Sequence, residues 1–251
     1  AIYTTPDETL QAARALADKY GRPLLIHLAE TKAEFEEAKQ KRMLTPTQVL
    51  DKLGALSGST VVAHAVWLDE RDMDLLAISG AGVAHNPSSN MMLASGIAPI
   101  TKLLAKGVDV GLGTDGPAGS NNDFDMFEEM DLAAKLQKVA SGDPTAISAA
   151  QAFTMATLGG AKVLNMGHLI GSLEPGKLAD IISVRLDGAH ATPIYDVYAQ
   201  LVYALKGSDV SDVMVNGKMI VRNRAMTTLN ARSILAKAEE YAEKVKASLA
   251  K

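Results

Sequence analysis

Short apolar runs alternate with amphipathic segments over the first 115 residues of the chain. The apolar runs are bounded by turn residues and are predicted as strands at 23–28, 60–64, 81–85 and 108–113. The amphipathic segments begin at capping residues and end at glycine, and they are predicted as helices at 5–21, 45–54, 69–80 and 97–107. Alternation of this kind indicates right-handed βα units and a parallel sheet.

Three local patterns give more specific expectations. Thr5-Pro6-Asp7-Glu8 is a capping-box sequence with proline at the first helical position. The continuous apolar run at 23–28 is typical of a strand buried on both faces. The charged segment 34–42, rich in lysine and glutamate, is expected to be an exposed helical face.

The pattern changes after Asp115. Two helical stretches at 123–140 and 144–165 are followed by a predicted strand at 179–184. Asn216-Gly217 lies between two apolar runs within 213–221, which is a strong hairpin signal, and a last helix is predicted over 231–249. We therefore expect residues 1–170 and 171–251 to form separate parts of the protein.

Composition excludes several kinds of site and partner. The 251 residues contain no cysteine, so disulfides, thiolate metal sites and cysteine nucleophiles are ruled out. With 25 lysine and arginine residues against 29 aspartate and glutamate residues, the net charge of −4 argues against nucleic acid as a partner. No apolar run approaches the roughly 18 residues of a membrane span, so no membrane partner is expected. We expect a cytoplasmic protein in which any metal is held by histidine and carboxylate side chains.

Three of the five histidines and one aspartate fall at the carboxyl ends of the four predicted strands. They are His27, His64, His85 and Asp115. Parallel α/β proteins build their sites at this edge, because the sheet fixes the strand ends while the loops vary. Each residue taken alone also fits a structural role, as a hydrogen-bonded core histidine or a turn residue. Their occurrence on consecutive strands indicates a shared site.

Glu30 follows His27 in the pattern His-x-x-Glu. The apolar run ends near Leu28, so we expect Glu30 to lie on the following loop and to curl over the site. In that position His27 is free to bind a metal while Glu30 stays unligated and transfers protons. The alternative is a core histidine followed by a glutamate that starts a helix near Thr31.

The sequence argues against a serine hydrolase site and against a site for a pyrophosphate-containing cofactor. No Gly-x-Ser-x-Gly sequence is present for a serine hydrolase. Gly-x-Gly-x-x-Gly occurs at 111–116, but it opens into Pro117 and a polar loop rather than into a helix N-terminus that could hold a pyrophosphate. Metal-assisted hydrolysis by a site of histidine and aspartate is the remaining interpretation.

Motifs along nearly the whole chain carry a resemblance to a known family. They are His27-Leu28-Ala29-Glu30-Thr31, the strand-ending His64, His85-Asn86-Pro87-Ser88-Ser89-Asn90, Gly113-Thr114-Asp115-Gly116 with Ser120-Asn121-Asn122, and residues 171–180. Together they are similar to the amidohydrolase superfamily. Residues 125–130 also resemble the helix after the catalytic aspartate in its 5-methylthioadenosine/S-adenosylhomocysteine deaminase group. The resemblance implies an α/β fold of the metal-dependent hydrolase TIM type, a (β/α)8 barrel. This chain would be its C-terminal half, with part of a small β-sandwich domain and a C-terminal helix.

By this resemblance, the site would hold one divalent metal and deaminate an adenine nucleoside to the inosine analogue and ammonia. His27 would be a metal ligand, and Asp115 a ligand that also takes a proton from the nucleophilic water. Glu30 would carry a proton to the ring nitrogen, His64 would be a catalytic group near the water, and His85 would bind substrate together with Glu30. Zinc is the expected metal, and iron and manganese also suit these ligands.

The chain departs from the family in its first metal ligands. The family carries a His-x-His at the end of its first barrel strand, and this sequence contains none. The first helix resembles the one that follows the fourth family strand, so we expect a missing N-terminal barrel half. Residues 1–251 alone would supply only His27 and Asp115 as ligands, and we expect them to bind metal weakly and to be inactive.

Other functions stay open at the level of the sequence. Triazine chlorohydrolases or aminohydrolases and guanine deaminase share most of these motifs. A non-catalytic half-barrel that pairs with a partner chain is the alternative outside the enzymes, since an open sheet of four strands exposes two edges and an apolar face. A homo-oligomer is also compatible with the sequence.

Overall fold

Four parallel strands organise the first part of the protein, whose computed structural model describes residues 1–117 and 119–249. The strands lie side by side in chain order and are β1 Leu24–Leu28, β2 Thr60–His64, β3 Gly82–His85 and β4 Val110–Leu112. The predicted parallel sheet is therefore confirmed. The register pairs His27 with Ala63 and His85 with Leu112, so the carboxyl ends of the strands meet at one edge.

Contacts divide the chain into two units. The first consists of Ala1–Lys177 and Asp187–Gly207, and the second of Leu178–Leu186 and the chain from Ser208 onward. Residues 187–207 thus return to the first unit after the chain has entered the second. The division into separately folding domains near residue 170 stays a prediction.

Helices connect and follow the strands of the first unit. Before and between the strands they are α1 Asp7–Lys19, α2 Lys32–Arg42, α3 Pro46–Lys52, α4 Glu70–Ser79, α5 Pro87–Met92 and α6 Ile100–Ala105. After β4 they are α7 Met126–Ser141, α8 Ala149–Thr154, a π-helical turn at Met155–Gly159, α9 Gly160–Val163, a 3₁₀ turn at Ala189–Ala191, α10 Val197–Ala199 and a π-helical turn at Gln200–Ala204.

Two helices begin at the predicted capping residues. The Thr45 hydroxyl accepts a hydrogen bond from the backbone N–H of Gln48 at the start of α3. Asp69 and Asp72 form a reciprocal capping box at the start of α4. These helix starts are fixed locally, which is why the sequence predicts them correctly.

The capping box predicted at Thr5 is wrong. Pro6 occupies the N-cap position of α1, and within the described residues no side-chain hydrogen bond caps this helix. Thr5 therefore lies one residue too early to serve as the cap. The acidic side chains of Asp7 and Glu8 lie in the first turn instead, where they interact favourably with the helix dipole.

The prediction that β1 is buried on both faces is also wrong. Ile26 and Leu28 are buried, whereas Leu25 is 63% exposed and His27 is exposed as well. Successive side chains of a strand point to opposite faces, and only the face of β1 that carries Ile26 and Leu28 is covered. As a result, His27 lies on the open face of the strand.

Glycines allow α9 to approach the sheet closely. A Cβ atom added to Gly111 of β4 would lie 2.7 Å from the Cα atom of Gly160, and one added to Gly82 of β3 would lie 2.9 Å from Val163 Cγ1. Neither distance is compatible with a side chain at the strand position. The segment predicted as a single helix at 144–165 is divided by a π-helical turn where it packs against β4.

The second unit contains an antiparallel sheet and a long helix. Its strands are β5 Ile181–Val184, β6 Val210–Val215, β7 Lys218–Arg222 and β8 Ala225–Met226, in that order, and α11 spans Ala231–Leu249. Asn216 and Gly217 join β6 to β7 with φ angles of 47° and 74°, which confirms the predicted hairpin turn. The short strand β8 was not predicted.

Among residues 1–117 and 119–249, no helix combines the length and the apolar character required to cross a lipid bilayer.

Candidate functional site

Side chains from the carboxyl ends of β1 and β4 converge on His64, which ends β2. Its Nε2 atom lies 3.8 Å from Oε2 of Glu30 and 3.8 Å from Oδ2 of Asp115. The ring of His27 stacks on the His64 ring, with 5.2 Å between the centroids. The structure therefore brings together four of the predicted residues at the carboxyl edge of the sheet.

Left-handed backbone at the strand ends produces this convergence. Ala29, His64 and Asp115 have φ angles of 50°, 73° and 60°, which are unusual for residues other than glycine. Backbone of this kind is retained only when the surroundings fix it, and such positions concentrate at functional sites. At Ala29 the carbonyl accepts hydrogen bonds from the backbone N–H groups of Val66 and Trp67, so the loops after β1 and β2 are joined.

His64 is completely buried and is oriented by Asn90. The side-chain oxygen of Asn90 lies 2.9 Å from Nδ1 of His64, so Nδ1 donates and carries the proton. Nε2 has no hydrogen-bond partner among the residues that the structure describes. Since it faces two carboxylates, Nε2 is placed to accept a proton between them.

Asp115 is held in its ionised form by hydrogen bonds. The Ser89 hydroxyl donates to Oδ2 at 2.8 Å, and the backbone N–H of Gly116 donates to Oδ1 at 2.7 Å. Burial acts to raise the pKa of Asp115, but these hydrogen bonds and the nearby His64 outweigh it and hold the pKa below its ordinary value. Asp115 is therefore a negatively charged oxygen donor at neutral pH.

Glu30 lies on the loop after β1, as predicted, and is fixed from two sides. The Ser95 hydroxyl donates to Oε1 of Glu30 at 3.2 Å, and Ser95 is itself held by the indole N–H of Trp67, which donates to its carbonyl at 2.7 Å. The backbone N–H of Glu30 donates to Oε2 of Glu34 at 2.9 Å. The carboxylate of Glu30 is thus directed toward His64 without being shielded on all sides.

The burial of Glu34 contradicts the prediction that segment 34–42 is an exposed helical face. Glu34 is only 4% exposed, and burial raises the pKa of its carboxyl group. No sequence pattern indicates this burial, because the partner of Glu34 is the backbone N–H of Glu30 rather than a side chain. The remainder of α2 is mostly exposed, with Ala38 as another exception.

His85 lies at the end of β3 and is almost completely buried. Burial, together with the nearby His64, lowers the pKa of His85 to about 3, so its ring is neutral at physiological pH. Neither ring nitrogen has a hydrogen-bond partner in the described part of the chain. Its predicted contact with substrate stays a prediction.

A complete metal site is not formed by the described residues. Among residues 1–117 and 119–249, no group of three or more histidine, aspartate or glutamate side chains could hold a metal ion. The two predicted ligands, His27 and Asp115, each lie next to His64, His27 through its ring and Asp115 through Oδ2.

Several residues that support the site were missed in the sequence. Ser89 and Asn90 belong to α5, which begins at Pro87 and was not among the predicted helices. Proline at the first helical position is the signal that could have revealed this helix. Ser95 and the buried Glu129 of α7 carry no such signal, because their partners are distant in sequence.

Comparison with known proteins gives a consistent likeness over the chain. The model of the amidohydrolase family matches residues 1–220. A 5-methylthioadenosine/S-adenosylhomocysteine deaminase of Desulforudis audaxviator is 44% identical over 245 residues, which cover 98% of this chain and 57% of that protein.

Two solved structures show the same likeness in three dimensions. An adenosine deaminase from Xanthomonas campestris with bound zinc has a TM-score of 0.94 and 36% identity, covering 98% of this chain and 56% of that one. Atrazine chlorohydrolase from Arthrobacter aurescens, complexed with zinc, has a TM-score of 0.86 and 28% identity, covering 94% of this chain and 52% of that one. The chain therefore spans just over half the length of the proteins it matches.

Proposed function

Because the chain belongs to the amidohydrolase family, we propose that it supplies the C-terminal part of a metal-dependent deaminase acting on an adenine nucleoside. The observation that carries the proposal is the position of His64 Nε2, 3.8 Å from both Glu30 and Asp115. A buried imidazole between two carboxylates is suited to moving protons during a hydrolysis. The 44% identity to a 5-methylthioadenosine/S-adenosylhomocysteine deaminase supports this substrate class.

The side chains present fit part of a metal site. His27 offers an imidazole on the open face of β1, and Asp115 offers an ionised carboxylate. Imidazole and carboxylate suit zinc, iron or manganese, and we propose zinc, with His27 and Asp115 as two of its ligands. A divalent metal would lower the pKa of its bound water to about 7 and so supply hydroxide at neutral pH.

Each polar residue of the site has a separate task in the proposed reaction. Asp115 takes a proton from the attacking water, whose oxygen bonds to C6 of the adenine ring. Glu30 delivers a proton to N1, and the proton held by Asp115 passes to the amino group, which leaves as ammonia. The proton of the new hydroxyl group on C6 returns to Glu30 as the C6 carbonyl forms. His64 passes protons between the two carboxylates. Glu30 must stay off the metal, because ligation would suppress its basicity.

The fold supports the proposal that this chain is half of a (β/α)8 barrel. The sheet has four parallel strands, and β1 and β4 are its two edges. Such edge strands present unpaired backbone N–H and C=O groups, which another segment can pair. We propose that a further protein segment completes the barrel and supplies the missing metal ligands, whether it belongs to the same chain or to another. A homo-oligomer and a non-catalytic half-barrel are the alternatives to this arrangement.

A triazine hydrolase is the second candidate function. The likeness to atrazine chlorohydrolase, at a TM-score of 0.86, favours a related site. Its 28% identity is lower than the 44% identity to the nucleoside deaminase, so we rank it second. Guanine deamination is the remaining alternative within the family.

The intact, metal-loaded enzyme should be assayed for ammonia release, for chloride release and for the ultraviolet change from adenosine to inosine. The panel comprises 5-methylthioadenosine, S-adenosylhomocysteine, 5′-deoxyadenosine, guanine and a chlorotriazine, whose hydrolysis releases chloride. We expect turnover of the adenine nucleosides and none by residues 1–251 alone. Turnover of only the triazine or only guanine would replace the proposal with the corresponding alternative. We also place the reaction in the cytoplasm, which cell fractionation would test.

A further inference from the structure

Glu129 is a fully buried carboxylate on α7 that holds the two loops around Asp115. Its Oε2 atom accepts a hydrogen bond from the backbone N–H of Ser88 at 3.1 Å, and Oε1 accepts one from the side-chain N–H of Asn121 at 3.0 Å. We propose that Glu129 is a positioning residue, which sets the geometry of Asp115 and His64 without touching the reacting atoms. This inference rests on the proposed function for its catalytic consequence.

The first loop contains the start of α5. Ser88 is the second residue of this helix, and its backbone N–H is one of the groups that a helix leaves without an internal partner. Asn86 stands at the N-cap but makes no side-chain capping hydrogen bond in the described structure. Glu129 supplies the missing acceptor from another helix.

The residues that follow on α5 reach the site. Ser89 donates to Oδ2 of Asp115 at 2.8 Å, and the Asn90 oxygen accepts from Nδ1 of His64 at 2.9 Å. One short helix therefore orients both the carboxylate and the imidazole. A rotation of α5 would change both contacts at once, and Glu129 opposes it.

The second loop contains Asp115 itself. Asn121 donates through its side chain to Glu129 and also to the Thr114 carbonyl at 2.8 Å, and its backbone N–H donates to the Gly116 carbonyl at 3.1 Å. The backbone is thus held on both sides of Asp115, whose φ of 60° requires support from its surroundings. Glu129 fixes Asn121 in this position.

The same helix offers a matched control in Gln137. Gln137 is also buried on α7, and its side-chain oxygen accepts from the backbone N–H of Thr101, the second residue of α6, at 3.4 Å. Its side-chain N–H donates to the Ala98 carbonyl at 2.9 Å. Glu129 and Gln137 therefore both cap a neighbouring helix, but only α5 contributes the site contacts described above.

Glu129→Ala and Gln137→Ala should be compared in the intact enzyme. We expect both to lower the thermal unfolding midpoint. Glu129→Ala should reduce kcat by about 100-fold with little change in KM, since small displacements of reacting groups are costly. Gln137→Ala should leave kcat within about twofold of the wild type. Equal kcat values in the two variants would overturn the inference.

Amide hydrogen exchange provides a readout that does not depend on activity. Glu129→Ala should accelerate exchange in segments 86–95 and 114–117, whereas Gln137→Ala should accelerate it near 98–106. Unchanged exchange in the first two segments would overturn the inference. If the wild type turns over no adenine nucleoside, the proposed function fails, and the exchange measurement still decides whether Glu129 holds the two loops.

Glu129→Gln is the variant to test if Glu129→Ala does not fold. Glutamine keeps the volume, but its amide nitrogen would face one of the two donors, so only one hydrogen bond survives. We expect the effect of Glu129→Gln on kcat to be non-additive with that of Ser89→Ala, because both act on Asp115. Full additivity of the two effects would contradict a shared role.

Discussion

The side-chain oxygen of Asn90 accepts a hydrogen bond from Nδ1 of His64 at 2.9 Å, in a completely buried environment. This contact places the proton on Nδ1 and leaves the lone pair of Nε2 facing Glu30 and Asp115. The tautomer of His64 is therefore determined by a residue of α5 rather than by the carboxylates beside it.

Asn90→Ala should remove this control. The buried Nδ1–H group would lose its acceptor, at a cost of about 1–3 kcal/mol in the free energy of unfolding. We expect kcat to fall by about 100-fold, as is typical when an acid–base group is no longer oriented. Urea unfolding and steady-state kinetics of the intact enzyme measure the two effects. The control is Asn122→Ala, at an exposed asparagine, which should change neither the free energy of unfolding nor kcat. A wild-type kcat in Asn90→Ala would contradict the assignment.

Glu30→Gln tests whether Glu30 is a proton carrier rather than a ligand. Glutamine keeps the oxygen that accepts from Ser95 but has no basic group. We expect metal content to stay unchanged while turnover falls by about 100-fold or more. Metal analysis and ammonia release give the two readouts. Loss of metal in this variant would show that Glu30 is a ligand, and Glu37→Gln, at an exposed position on α2, is the control.

The neutral state of His85 predicts a pH dependence of stability. Burial lowers its pKa to about 3 in the folded protein, against 6.5 for an unperturbed histidine. Between these values the unfolded chain binds a proton that the folded protein excludes, so stability falls as pH falls, by up to about 1.4 kcal/mol per pH unit. Well above pH 6.5 the ring is neutral in both the folded and the unfolded protein, so this pH dependence of stability is absent.

Urea unfolding of wild type and His85→Leu between pH 4.5 and about 8 isolates this contribution from those of other groups. The difference in free energy of unfolding between the two proteins should change in favour of the variant as pH falls. His168→Gln, at an exposed histidine, should follow the wild type. Parallel curves for wild type and His85→Leu would show that His85 is not buried in its neutral form.

Gly111→Ala should destabilise the first unit. The added Cβ would lie 2.7 Å from the Cα of Gly160, and backbone cannot move aside as a flexible side chain can. We expect a loss of about 1–3 kcal/mol in the free energy of unfolding, measured by urea titration. At Gly58 the nearest atom to an added Cβ is 3.7 Å away, so Gly58→Ala should stay within about 0.5 kcal/mol of wild type. Equal stability of both variants would contradict the close packing of α9.

The sequence was sufficient to predict that these side chains would meet. His27 and His64 lie at the carboxyl ends of β1 and β2, Asp115 follows β4, and parallel strands in chain order bring their ends to one edge. Glu30 was placed correctly on its loop because the apolar run stops at Leu28. These predictions needed only local patterns and one rule of topology.

The supporting contacts were beyond such patterns. Glu129 reaches Ser88 across 41 positions of sequence, and its burial depends on how α7 packs rather than on its neighbours in the chain. In the sequence, Glu34 resembles any charged helical residue. Its contact depends on the loop after β1, where the backbone N–H of Glu30 donates to it. The open face of β1 was missed because the coverage of a strand's two faces depends on the packing of the whole unit.

The open face of β1 also couples assembly to metal loading under the proposed function. Leu25 and His27 are two residues apart on one strand, so both project from the same exposed face. A protein segment that covered Leu25 would also approach His27. If that segment carries the remaining ligands, metal binding strengthens its attachment, and its attachment strengthens metal binding by the same factor. The supply of metal would then determine both the fraction of the protein that is assembled and the rate of turnover.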